Sequence, residues 1–100
     1  MATHRTIVEE PLYAAQLDAI REQYSSERVD SALDGLMWGI AQNPEKYDRV
    51  TWNIFQAVNR TFGSRAPQLR IFFSLKGDNE VTLQWIEEMT AMDEILEAVQ

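Results

Sequence analysis

The sequence predicts an α+β domain: two N-terminal helices packed on one face of a small antiparallel sheet, followed by a short C-terminal helix. Three observations carry this prediction. Two β-rich runs, LRIFFSL and EVTLQWIEE, are joined by KGDN, whose Gly77, Asp78 and Asn79 suit a tight turn, so they read as a hairpin. Between residues 27 and 42, Val29, Leu33, Leu36, Met37 and Ile40 recur at helical spacing and form one apolar stripe. The opening RTIVEE is short and β-branched, and Pro11 ends it before a second helical pattern begins.

Taken in order, residues 5–9 read as the first strand. Pro11 suits the first helical position, where its missing N–H is no loss. From there Tyr13, Leu17, Ile20 and Tyr24 lie on one stripe, with Glu9 and Glu10 near the positive end of the helix dipole. A serine pair then opens the second helix, and Asn43 before Pro44 stops it, because the residue before proline is pushed out of the α region. RVTWNIFQAVNRTFG has two periodicities: Val50, Trp52 and Ile54 alternate as in a strand, while Ile54, Phe55, Val58 and Phe62 also fit a helical face. Its β-branched and aromatic content favours a strand over residues 50–62. GSRAP follows as a loop, and the hairpin comes next. In the closing TAMDEILEAVQ, Thr90 and Asp93 resemble a capping box and Met92, Ile95, Leu96 and Val99 form a stripe. The predicted order is β-α-α-β-β-β-α.

A chain of 100 residues, 45% hydrophobic, has the size and apolar content of a single domain, 1–100. With no cysteine there is no disulfide framework, thiolate zinc site or cysteine nucleophile, and a reducing cytoplasm is the expected compartment. MATHRTIVEE lacks an apolar signal core, and no window approaches the roughly 18 apolar residues of a membrane span, so no membrane partner is expected. The net charge of −7 argues against general nucleic-acid binding, which rests on Lys and Arg displacing counterions. That charge is unevenly spread. Residues 49–77 carry Arg49, Arg60, Arg65, Arg70 and Lys76 with no acid, whereas residues 78–100 carry Asp78, Glu80, Glu87, Glu88, Asp93, Glu94 and Glu97 with no base.

Motifs for phosphate loops, dinucleotides, zinc proteases and serine elbows are all missing, so no cofactor or metal is expected. His4 is the only histidine, which removes histidine-centred triads. Glu87 and Glu88 are adjacent in a strand and point to opposite faces, which separates them as an acid–base pair. Strand parity places Leu69, Ile71, Phe73 and Leu75 with Val81, Leu83 and Trp85 toward the helices. Arg70, Phe72, Ser74 and Lys76 then share the other face with Thr82, Gln84 and Ile86. Cations interleaved with an aromatic ring can hold phosphates and a stacked base. The plainer alternatives are the solvated side of a half-buried sheet, or a floor beneath the acidic C-terminal helix.

TIVEEPLYAAQLDAI, the helix ending in GIAQNP and the hairpin LRIFFSLKGDNEVTLQWI resemble, in order and spacing, the RelE/ParE superfamily of toxins from bacterial toxin–antitoxin pairs. The resemblance covers nearly the whole chain. It implies a helix pair on one face of an antiparallel sheet whose other face, in the RNA-cleaving branch, grips messenger RNA on the ribosome. It also implies a cognate antitoxin as partner, and it leaves DNA gyrase open as another target. Arg70 stands where the family often has an arginine in the middle of the sheet, and Phe73 lies near a position commonly held by tyrosine. On this reading Arg70 is the catalytic residue, stabilising charge on the phosphate during attack by the ribose 2′-hydroxyl. Arg60, Arg65, Phe72 and Lys76 would bind the nucleic acid or partner. The chain departs from the family at the end of the last strand, where RNA-cleaving members usually supply Lys, Arg, His or Tyr and this chain has IEEMTAMDE.

Two functions are therefore expected. The first is a RelE/ParE-like toxin, as an enzyme an endoribonuclease; the alternative is a non-catalytic module that binds a peptide or partner protein through its sheet face or edge. The charge boundary adds a structural expectation for each. Residues 90–100 would fold over Arg60, Arg65, Arg70 and Lys76, or the opposite charges would attract between two copies and give a homodimer.

Overall fold

A computed structural model, described for residues 5–24, 26–59, 68–77 and 79–89, has two helices on one face of a five-stranded sheet. The strands are β1 (Thr6–Glu9), β2 (Asp48–Thr51), β3 (Ile54–Val58), β4 (Leu69–Lys76) and β5 (Glu80–Glu88). The helices α1 (Pro11–Gln23) and α2 (Ser26–Gln42) follow β1, and a 3-10 turn (Pro44–Lys46) leads into β2. The α+β class and the helix pair agree with expectation. The GSRAP loop and the C-terminal helix lie outside the described residues.

The sheet is mixed where an antiparallel one was expected. Its order is β1-β5-β4-β3-β2, with β2 to β5 an antiparallel meander and β1 parallel to β5. Connectivity explains the difference. The helix pair carries the chain from β1 to the far edge, and three successive reversals then return β5 beside β1 in β1's own direction.

The strand predicted over residues 50–62 is corrected within its described part, 50–59, to the end of β2, a turn and β3; residues 60–62 lie outside the described residues. Thr51 already pairs with Ile54, so Trp52 and Asn53 form the turn between β2 and β3. Neither residue is Gly or Pro, which is why the turn was hidden within a β-branched alternation. A hydrogen bond fixes it: Asn53 Nδ2 donates to the Leu75 carbonyl at 2.8 Å. At the β4–β5 turn, Gly77 has φ +65°, the left-handed region that glycine enters without steric cost.

Both helices bury the stripes expected of them. Tyr13, Leu17 and Ile20 of α1 and Val29, Leu33, Leu36 and Ile40 of α2 join Phe55, Ala57, Leu69, Ile71, Phe73, Val81, Leu83 and Ile86 in one core. Phe73 lies at its centre, stacked on Phe55 at 5.5 Å and met edge-on by Tyr47 at 6.0 Å. Burying a side chain of this size contributes about 1.5–3 kcal/mol. At the far end of the helix hairpin, Arg21 of α1 pairs with Asp30 of α2 at 2.7 Å. Among the described residues no helix is long and apolar enough to cross a membrane.

Candidate functional site

The sheet face away from the helices is the candidate site, and one irregularity decides its composition. Counting from the turn, Lys76 pairs with Glu80, Ser74 with Thr82 and Phe73 with Leu83, but Phe72 then pairs with Trp85. Gln84 is the extra residue of a β-bulge. A bulge of one residue moves every later side chain to the other face. Trp85 is therefore 40% exposed and Ile86 only 2%, which reverses the parity expected for both. The bulge is held on both sides: Gln84 Nε2 donates to Ser74 Oγ at 3.1 Å, and the Ile86 amide donates to Gln16 Oε1 of α1 at 3.0 Å.

The same shift selects the partner of Arg70. In the register set by the turn Arg70 would stand opposite Ile86, but beyond the bulge it stands opposite Glu87. Its Nε and Nη2 both reach Glu87 Oε1, at 2.9 and 2.7 Å. The guanidinium also lies 5.6 Å from the Phe72 ring centroid. At 20% and 34% exposure, the two side chains form a half-buried ion pair on the central strands. At the hairpin end, Lys76 is largely solvated, with its amine 4.0 Å from Glu80 Oε2.

Of the five residues singled out in the sequence, Arg70, Phe72 and Lys76 share this face, whereas Arg60 and Arg65 lie outside the described residues. The arrangement brings Arg70 and Phe72 together and separates them from Lys76 by the length of the strand. It adds Trp85 and Glu87, which parity counting had assigned to the helix side or left unpaired. Around them lie Val8 of β1, at 39% exposure, and the half-buried Ile54, Gln56 and Val58 of β3.

Chemically, the described residues of the face offer apolar and aromatic surface with a charge-neutral ion pair. An anion approaching Arg70 also meets the Glu87 carboxylate, so binding it requires Glu87 to yield or to share donors. Among the described residues no group of three or more His, Asp or Glu is placed to hold a metal ion. The groups with resolved pKa shifts all lie on the helix side. Burial pushes Tyr13 far above its ordinary value, with the Glu9 charge adding to it and Arg21 opposing it. Tyr24 is raised first by its hydrogen bond to Glu88, and Arg21 by its hydrogen bond to Asp30. Glu88 thus turns inward while Glu87 turns outward, as adjacent strand residues must.

No protein-family model matches the chain, and no curated protein matches it.

Proposed function

We propose that this chain is a cytoplasmic protein-interaction module whose sheet face away from the helices binds an amphipathic segment of a partner protein. The observation that carries this reading is the bulge at Gln84, which adds a second aromatic side chain to the outer face and places Glu87 against Arg70. Trp, Phe and Arg gathered at the centre of a surface are the residue types that anchor protein partners. The partner would lay apolar side chains over Phe72, Trp85 and Val8 and compete for the donors and acceptors of the Arg70–Glu87 pair. Lys76 would lie at its border.

A second reading keeps the RelE/ParE-like architecture and its toxin role. It is favoured by Arg70 lying on the middle strand of the sheet, on the face away from the helices and 5.6 Å from the Phe72 ring, as a phosphate ligand beside a stacking platform requires. In that reading the partners are an antitoxin and the ribosome with its messenger RNA.

One experiment separates the two. Wild type, Arg70→Ala and Trp85→Asp are expressed inducibly in bacteria, recording growth, protein synthesis and what co-purifies. The interaction reading expects normal growth and a stoichiometric partner that binds purified wild type and loses about tenfold or more in affinity on folded Trp85→Asp. Equal partner binding by both proteins overturns it. Growth arrest by wild type that is relieved in Arg70→Ala supports the toxin instead.

A further inference from the structure

The sheet has two edges, and they differ in how they are guarded. At β2 the ladder is irregular between Arg49 and Thr51, leaving Val50 as a bulged residue in a four-residue strand. A bulge twists an edge away and resists pairing with another chain. The β1 edge has no irregularity in its pairing with β5 and no proline within the strand.

The backbone of β1 is divided between its two sides. The Thr6 amide donates to Asn79 and the Glu10 amide to Leu83, so the even positions face β5. Backbone groups alternate along a strand, so the N–H and C=O groups of Ile7 and Glu9 face away from β5, with no backbone partner outside the strand ladder among the described residues. Arg5 fixes the start of the strand, with its amide on the Ala41 carbonyl at 3.1 Å and Nη1 on the Gln42 carbonyl at 3.0 Å. Thr6, Val8 and Glu9 are exposed.

Residues 5–9 read Arg-Thr-Ile-Val-Glu, and this order is complementary to its own reverse. We propose that β1 pairs antiparallel with β1 of a second copy about a two-fold axis through Ile7. Arg5 then stands opposite Glu9 of the second copy and Thr6 opposite its Val8, each pair occurring twice, with the two Ile7 residues meeting at the centre. Opposed residues share a face throughout. Ile7 exchanges both backbone hydrogen bonds with its counterpart, and the Glu9 amide reaches the Arg5 carbonyl of the other copy, leaving the Arg5 amide to Ala41. Arg5 keeps guanidinium donors for the carboxylate beside the one given to Gln42. Two five-stranded sheets become one continuous sheet, with their open faces side by side. Charge order selects this register: a shift by two residues leaves the ends without their opposite charges.

The test is the oligomeric state by sedimentation equilibrium across a concentration series, for wild type, Arg5→Glu, Glu9→Arg and an equimolar mixture of the two variants. Wild type is expected to dimerise. Each variant alone places like charges opposite each other twice and should weaken the dimer on the order of tenfold or more. The mixture restores both opposite-charge pairs and should form a heterodimer. Circular dichroism establishes that each variant is folded. If Arg5→Glu does not fold, a second measurement decides. The chain has no cysteine of its own, so oxidising a mixture of Thr6→Cys and Val8→Cys should yield a disulfide dimer joining one of each. A monomeric wild type, a dimer unaffected by Glu9→Arg, or no crosslink in the mixed cysteine variants each overturns the proposal.

Discussion

Replacing Gly39 by alanine should destabilise the protein, and removing one oxygen from a neighbouring residue should reverse the sign. Gly39 lies in the last turns of α2, beneath the Tyr47 side chain. A Cβ at this position would run into the Tyr47 hydroxyl and meet Tyr47 Cζ and Lys46 Nζ at 3.4 Å. Glycine to alanine within a helix ordinarily stabilises by about 0.5–1 kcal/mol. Here the ring has limited freedom to move, because it packs edge-on against Phe73 at the centre of the core. Overpacking of this kind costs about 1–3 kcal/mol, so the net effect of Gly39→Ala is a loss of about 1 kcal/mol. In a Tyr47→Phe background the obstructing oxygen is gone and the remaining 3.4 Å contacts are at the limit of ordinary packing. The same substitution should then stabilise by about 0.5 kcal/mol, giving a coupling of about 1.5 kcal/mol between the two positions. Urea unfolding of the four proteins, followed by tryptophan fluorescence, measures it. Equal effects of Gly39→Ala in both backgrounds would refute the placement of the Tyr47 hydroxyl against α2.

Two further predictions concern charge. The unfolded chain releases the Tyr13 proton near its ordinary value of 10.0, whereas burial makes the folded chain retain it. Deprotonation therefore favours unfolding: stability contributed below that value is lost as pH rises, by up to about 1.4 kcal/mol per pH unit. Tyr13→Phe should flatten the fall measured by urea unfolding between about pH 9 and 11, and an unchanged slope would count against a buried, protonated Tyr13. The Arg70–Glu87 pair, half-buried with two donors on one carboxylate oxygen, should show a coupling of about 1 kcal/mol in a double-mutant cycle with alanine, reduced in high salt. A coupling near zero at low salt would contradict the pairing.

Most of the fold was legible because its elements obey local periodicities. The stripes Tyr13–Leu17–Ile20 and Val29–Leu33–Leu36–Ile40 face the core as their spacing requires. Gly77 marks the hairpin turn because its φ +65° is open to glycine without penalty. What escaped prediction depends on contacts distant in sequence. The Trp52–Asn53 turn is fixed by a bond to Leu75, in a strand that begins many residues later. The parallel pairing of β1 with β5 follows from where the helix pair delivers the chain, which no local pattern records.

The candidate site shows how far one such contact reaches. Parity correctly placed Arg70 and Phe72 on the outer face, because β4 is regular throughout. In β5 it failed beyond Leu83, because the alternation Val81, Leu83, Trp85 continues as a flat strand would, while the pairing does not. Polar partners lie within reach on each side of the bulge: the Gln84 amide meets Ser74, and the Ile86 backbone amide meets Gln16. Ile86 thereby replaces the larger tryptophan in the core, at 2% exposure. The core gains an aliphatic side chain of ordinary size, and the outer face gains an indole and carries Glu87 in place of Glu88. A strand without the bulge would have left Arg70 opposite Ile86, a guanidinium with no cross-strand carboxylate and a freer hand for an anion. With the bulge, Arg70 is already matched. Among the described residues, the pairing of Arg70 and the aromatic content of this face are therefore set by one inserted residue in β5.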